Sequence, residues 1–175
     1  MTQTATYSAP SKILHWLTVL LLALQFAIGW LMPDVHRGTL PVGLIQAHLI
    51  VGVALIFVVA VRIAWRWMTP GVAPLPNTSP QQARLAAITH QALYVLLIAV
   101  PVLGWINASA RGWAVTLFGV IPMPKLAADG SSFGHLMGDV HQAFAWVLLA
   151  GVALHVAAAL YHHFVVKDGT LGRMK

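Results

Sequence analysis

Nine histidines sit in a chain that is 59% hydrophobic and only 8% charged. An ionisable group inside a bilayer is costly, so its retention there marks a functional site. His15, His48, His90, His141, His155 and His162 lie within or at the edges of long apolar runs. His36, His135 and His163 fall in loops or at a helix end, where a hydrated side chain costs little. His141 and His155 are fourteen residues apart. At about 100° per residue this is about 40° short of four full turns, so both project from one helix face. A rise of about 1.5 Å per residue separates them by about 21 Å, which suits two cofactors stacked across about 30 Å of hydrocarbon. A neutral imidazole is a good ligand for haem iron. Two imidazoles from facing helices make that iron low-spin and six-coordinate, the state suited to electron transfer.

Ligands of this kind need long apolar helices to carry them. Four windows, 14–32, 40–61, 85–110 and 140–166, reach the length of about 20 residues that a membrane helix requires. Arg62 and Arg66 can extend the second helix to about 66, with their charged heads reaching the interface. The expected fold class is all-α: one four-helix integral membrane bundle spanning residues 1–175 as a single transmembrane domain. The first window is longer than the apolar core of a signal peptide and no Ala-x-Ala site follows it, so it is expected to remain as a span. Segment 69–82 (TPGVAPLPNTSPQQ) reads as a loop. Segment 111–139 reads as a longer loop, with a short interfacial helix expected around 113–120.

Basic residues near the span ends set orientation. Lys12, Arg62, Arg66, Arg84, Lys167, Arg173 and Lys175 share one side, against Arg37, Arg111 and Lys125 on the other. Seven against three predicts cytoplasmic termini. With that topology His48 and His141 lie at matched depth in the outer half and form the outer pair. His155 lies in the inner half, faced by His15 and by His90, and depth does not separate these two.

Other classes are excluded by composition. There is no cysteine, hence no disulfide, iron–sulfur cluster or covalently attached haem. The net charge of +6 comes from basic residues scattered singly, so the expected anionic neighbour is a lipid bilayer and not nucleic acid. The four spans contain no Asp or Glu, which argues against an ion pump or a histidine-lined metal carrier.

Several stretches carry a resemblance: KILHW at the start of the first span, AHLIVG followed by VRIAWRW in the second, HQALYVLLIAVPVLGW in the third, and VHQAFAWVLLAGVALHVAAALYHHF with KDGTLGRM after it. In these the chain resembles, over nearly its whole length, the prokaryotic cytochrome b561 proteins, relatives of the cytochrome b subunits of nickel-iron hydrogenases. It is similar in particular to the short, free-standing members that pass electrons from superoxide to ubiquinone. The resemblance implies two non-covalent b haems, an inner one held by His15 and His155 and an outer one by His48 and His141. It makes His90 a non-ligand beside a propionate or quinone. His162 shares the face of His155 seven residues on, as a quinone or propionate candidate or as a hydrated interfacial histidine. Arg62, Arg66 and Lys12 are candidates to pair with inner propionates, or mark the cytoplasmic side.

The implied activity is electron transfer from superoxide, or another donor, at the outer face to ubiquinone in a bacterial inner membrane. A field of positive charge normally captures such an anion, yet Arg37, Arg111 and Lys125 are matched by Asp34, Asp129 and Asp139. The alternative is a membrane anchor and electron relay for a periplasmic hydrogenase or dehydrogenase. A protein partner is compatible with either reading and required only by the second; the short loops favour a free-standing protein.

Overall fold

The computed structural model describes residues 6–175 apart from Arg37, Pro70, Pro74, Pro76 and Asn77. Arg37, counted above with the outer charges, therefore lies outside the described residues. Among the described residues, four helices are long and apolar enough to cross a membrane: α1 (Ala9–Leu31), α2 (Leu44–Met68), α3 (Pro80–Ala110) and α4 (Ser132–Tyr161). α2 carries through Arg62 and Arg66 to Met68; Arg66 is exposed, whereas the Arg62 head turns inward to His15 and Tyr94 and does not reach for the interface. Other ends lie further out than hydropathy places them. α3 begins at Pro80, where the Ser79 hydroxyl accepts from the Gln82 amide at 3.2 Å and the Gln82 side chain accepts from the Ser79 amide at 2.9 Å. This reciprocal cap stabilises a polar first turn that has no apolar signal. α4 begins at Ser132, with Ser131 accepting from the Gly134 amide at 3.2 Å. His135 and Asp139, read as loop residues, are consequently helical and exposed.

The loop between α3 and α4 corrects a second expectation. Residues 113–120 form no helix; β1 (Thr116–Leu117) pairs antiparallel with β2 (Ile121–Pro122). Phe118 and Gly119 both take positive φ, 54° and 78°, the backbone that a primed hairpin turn requires. Packing holds Phe118 there, its ring 5.9 Å from that of Phe57 on α2.

The core is thin. Leu55 and Val59 of α2, Leu97 and Val100 of α3 and Leu148 of α4 are buried together. Val53, Ala108 and Val115 form a second cluster under the hairpin. Most other apolar side chains face outward, including Leu20, Phe57, Val95 and Leu154, the last 70% exposed. Such a surface suits hydrocarbon, where packing of small residues holds helices together. α3 and α4 meet in this way through Gly134 and Gly138. A Cβ on Gly134 would lie 2.4 Å from the Ala110 Cβ, and one on Gly138 would lie 2.7 Å from the Asn107 Nδ2. Asn107 ties the two helices by donating to the carbonyls of Gly134 (3.0 Å) and His135 (3.2 Å). Gly134→Ala is expected to destabilise the protein by about 1–3 kcal/mol through overpacking, read as a lower unfolding temperature in detergent. Gly172→Ala, with nothing within 4 Å of its would-be Cβ, should leave that temperature unchanged. Equal temperatures for the two variants would refute the contact.

The end holding both termini is strapped by the last residues. Leu171–Met174 forms a 3-10 turn against the start of α1: Lys12 Nζ donates to the Lys175 carbonyl at 2.5 Å, Trp16 Nε1 to that of Met174 at 3.0 Å, and the Tyr7 amide to that of Arg173 at 3.2 Å.

Candidate haem centres

Each helix contributes two positions fourteen residues apart: 15 and 29 on α1, 48 and 62 on α2, 90 and 104 on α3, 141 and 155 on α4. The antiparallel bundle brings these eight positions into two layers. His48, His141, Gly29 and Gly104 meet at the hairpin end. His15, Arg62, His90 and His155 meet at the terminal end. Near-integral turns keep each pair on one helix face, so one packing arrangement builds both layers.

In the hairpin-end layer the rings of His48 and His141 lie 6.0 Å apart between centres, at 83°. Two imidazoles bonded to one metal at about 2 Å each place their ring centres about 6 Å apart. His141 Nδ1 lies 2.8 Å from the Val100 carbonyl oxygen. A carbonyl only accepts, so Nδ1 carries the hydrogen and Nε2 keeps its lone pair, the tautomer a metal ligand needs. Glycines make room for both rings. A Cβ on Gly104 would lie 3.0 Å from His141 Nδ1, and one on Gly29 would lie 3.5 Å from His48 Cε1. A cavity of about 30 Å³ remains between the rings and Gln25, Gly52 and Pro101. In donor type and ring spacing, the two histidines suit axial coordination of one haem iron.

The terminal-end layer is less symmetric. His90 and His155 have ring centres 5.4 Å apart at 70°. Arg62 donates to His15 Nδ1 at 3.0 Å and stacks over the Tyr94 ring at 5.3 Å. His15 and His155 are half-buried, whereas His90 is exposed. Three imidazoles and a partly buried guanidinium are a suitable donor set for haem iron and a propionate. Arg66 is exposed at the end of α2, and Lys12 is engaged with the C-terminal carbonyl.

Beyond this layer the backbone of α4 widens into a π turn (His162–Val166) and reverses at Lys167, whose φ is 55°. The reversal brings Asp168 back to His162, with Oδ2 2.5 Å from Nδ1, while the Thr170 amide donates to Oδ1 at 2.9 Å. Slight desolvation raises the Asp168 carboxyl, but hydrogen bonds from Thr170 and His162 outweigh it and hold the group below its ordinary value. His162 thus has an ionised carboxylate behind its ring. His36, His135 and His163 are exposed, as expected.

At the hairpin end a cleft of about 500 Å³ is lined by Thr39, Arg111, Trp113 and His135, among others. Arg111 is fixed over the Trp113 ring at 5.4 Å and donates to Asn107 Oδ1 at 3.0 Å and to the His36 carbonyl at 3.3 Å. Lys125 and Asp129 form an exposed ion pair four residues apart in sequence, which leaves Arg111, among the described residues, as the cation held at the cleft.

Sequence reasoning overlooked Gln25, Gly29, Gly52, Gly104, Asn107 and Asp168. The fourteen-residue pairing of His15 with Gly29 and of His90 with Gly104 was a signal for two of them. Nothing local marks the others.

The family model for prokaryotic cytochrome b561 matches residues 6–175. Over 169 residues the chain is 31% identical to cytochrome b561 homolog 2 of Escherichia coli, covering 96% of this chain and 90% of that one. It is 32% identical over 170 residues to a probable superoxide oxidase CybB of Yersinia pestis, covering 96% and 94%. It is 31% identical over 182 residues to cytochrome b562 of Cereibacter sphaeroides, covering 99% and 98%. Four apolar helices, a histidine pair spaced for one iron and a likeness running through all four spans agree: the chain belongs to the prokaryotic cytochrome b561 family, electron-transfer proteins of the membrane that carry haem b.

Proposed function

We propose that this protein oxidises superoxide at its hairpin end and reduces ubiquinone within the bilayer, through two b haems held by His48 with His141 and by His15 with His155. The observation that carries this reading is the two layers of histidines, His48 with His141 and His15 with His90 and His155, joined by the fourteen-residue spacing of His141 and His155 on α4. When bound, haem accepts and releases one electron at a time, which suits a one-electron donor and a two-electron acceptor. Two superoxide ions give two dioxygen molecules and two electrons, and ubiquinone takes those electrons with two protons to form ubiquinol.

The chain's own residues supply binding and proton handling. Seven basic residues at the terminal end, Lys12, Arg62, Arg66, Arg84, Lys167, Arg173 and Lys175, favour a cytoplasmic position for that end. The hairpin end then faces outward, and Arg111 at its cleft offers an anion a fixed positive charge that Lys125, paired with Asp129, does not. Name and near-complete coverage of the Yersinia relative support the same donor. On the inner side, Arg62 has the position and hydrogen-bonding capacity to hold a propionate. His162, backed by Asp168, would take a proton from the cytoplasm and pass it to the quinone, and His90, within the terminal-end layer, is a second group to contact it.

The purified protein in lipid, supplied with a superoxide-generating system and ubiquinone, is expected to form ubiquinol at a rate that superoxide dismutase reduces to background. A rate that survives the dismutase would overturn the superoxide assignment and direct the search to another donor, including a docked dehydrogenase.

A further inference from the structure

Among the described residues, two buried side-chain polar atoms have no hydrogen-bond partner: Gln25 Oε1 and His48 Nδ1. They line the same cavity at the hairpin-end layer. Native proteins pair nearly all such groups, so a shared pair of orphans needs a reason. The contrast with His141 is direct, since that ring has its Nδ1 hydrogen engaged by the Val100 carbonyl.

The surroundings orient the two orphans toward each other's helix. A Cβ on Gly29 of α1 would lie 3.5 Å from His48 Cε1 and 3.7 Å from its Nδ1. The Cε1–Nδ1 edge of the ring therefore faces α1, while Nε2 lies beyond 4 Å from that Cβ position. Gln25 lies four residues before Gly29, on the same face of α1. Its amide reaches across because α2 has Gly52 at the crossing, where a Cβ would lie 3.2 Å from Gln25 Nε2. Nε2 donates to the backbone carbonyl of His48 at 3.1 Å. A carbonyl cannot donate, so the nitrogen end of the amide is the anchored one and the oxygen end is left in the cavity.

Building on the proposal that His48 and His141 hold the outer haem, we infer that Gln25 is a positioning residue: its carboxamide oxygen accepts the Nδ1 hydrogen of His48 and fixes the tautomer that leaves Nε2 free for iron. One side chain then grips both the backbone and the ring of the same ligand. An acceptor behind a ligating imidazole raises its basicity and favours the oxidised metal, so Gln25 also sets the potential of that haem. It would do for His48 what the Val100 carbonyl does for His141.

The test uses the holoprotein in lipid, with haem content and the two midpoint potentials measured for wild type, Gln25→Leu and Gln25→Glu. All three should hold two haems per chain. The potential of the haem that His141→Ala removes should rise in Gln25→Leu, where the acceptor is gone. In Gln25→Glu, where an oxygen acceptor is kept, it should lie at or below the wild-type value. The other potential should stay put. A residue that merely fills space would shift both variants in the same direction, and that result, or no shift in Gln25→Leu, overturns the inference. Failure of the underlying reading looks different: wild type would hold fewer than two haems, or His48→Ala would keep both.

Discussion

Replacing His141 with alanine is expected to lower the haem content of the purified protein from two per chain to one. Its reduced-minus-oxidised absorbance should fall by about half. The His141 ring is already held in one orientation. The Val100 carbonyl holds its Nδ1 hydrogen at 2.8 Å, and Gly104 leaves space for it with a would-be Cβ only 3.0 Å from the ring. Orientation and tautomer are thus set before any metal arrives. The partner ring of His48 lies at the centre-to-centre spacing one iron imposes. Without His141 the iron would keep a single axial ligand in a cradle built for two. Gly104→Val should deplete the same haem while His141 remains, because the added methyls occupy the place of the ring. Retention of both haems by His141→Ala would refute the outer pair.

At the other layer, His15→Ala should remove the second haem and lower ubiquinone reduction more than tenfold, whereas His90→Ala should keep two haems per chain. Two observations favour His15. It is half-buried like His155, while His90 is exposed, so iron bound through His90 would sit toward the lipid and away from the bundle interior. The His90 and His155 ring centres, 5.4 Å apart, also lie closer than the spacing of about 6 Å that two imidazoles on one metal require. His15 needs one rearrangement. Arg62 donates to its Nδ1 at 3.0 Å, and a guanidinium only donates, so the ring hydrogen there sits on Nε2. Ligation through Nε2 would require that hydrogen to move to Nδ1 and would free Arg62 to pair with a propionate. Haem content measured on both single variants decides the pairing. Loss of a haem in His90→Ala, with two kept in His15→Ala, would assign the inner iron to His90 and His155.

The four spans, their all-α class and the placing of six histidines on or at the ends of those spans were legible in the amino-acid order, because hydropathy and the 3.6-residue period are local properties of a helix in lipid. The family was legible for the same reason: its distinguishing stretches lie in the spans that carry the histidines. Helix starts were less so, since Pro80–Arg84 is a polar first turn and Ser132–Asp139 mixes glycines and polar residues with Phe133, Leu136 and Met137, their starts being capped by Ser79 and Ser131. The run 113–120 misled because a short apolar segment suits helix and strand alike. Positive φ at Phe118 and Gly119, with Phe118 packed on Phe57 of α2, settled it as a hairpin.

Tertiary structure alone decided which groups stand behind the histidines. The Val100 carbonyl, the Gln25 amide reaching past Gly52, and Asp168 folded back on His162 depend on how neighbouring helices are rotated and on where the chain reverses. Neither can be read from the period of one helix. The amino-acid order by itself thus determined how imidazoles are spaced along each helix, through a constant rise per residue. Packing between helices chose what each imidazole touches, because contacts across a bundle are set by the partner's face and not by its own.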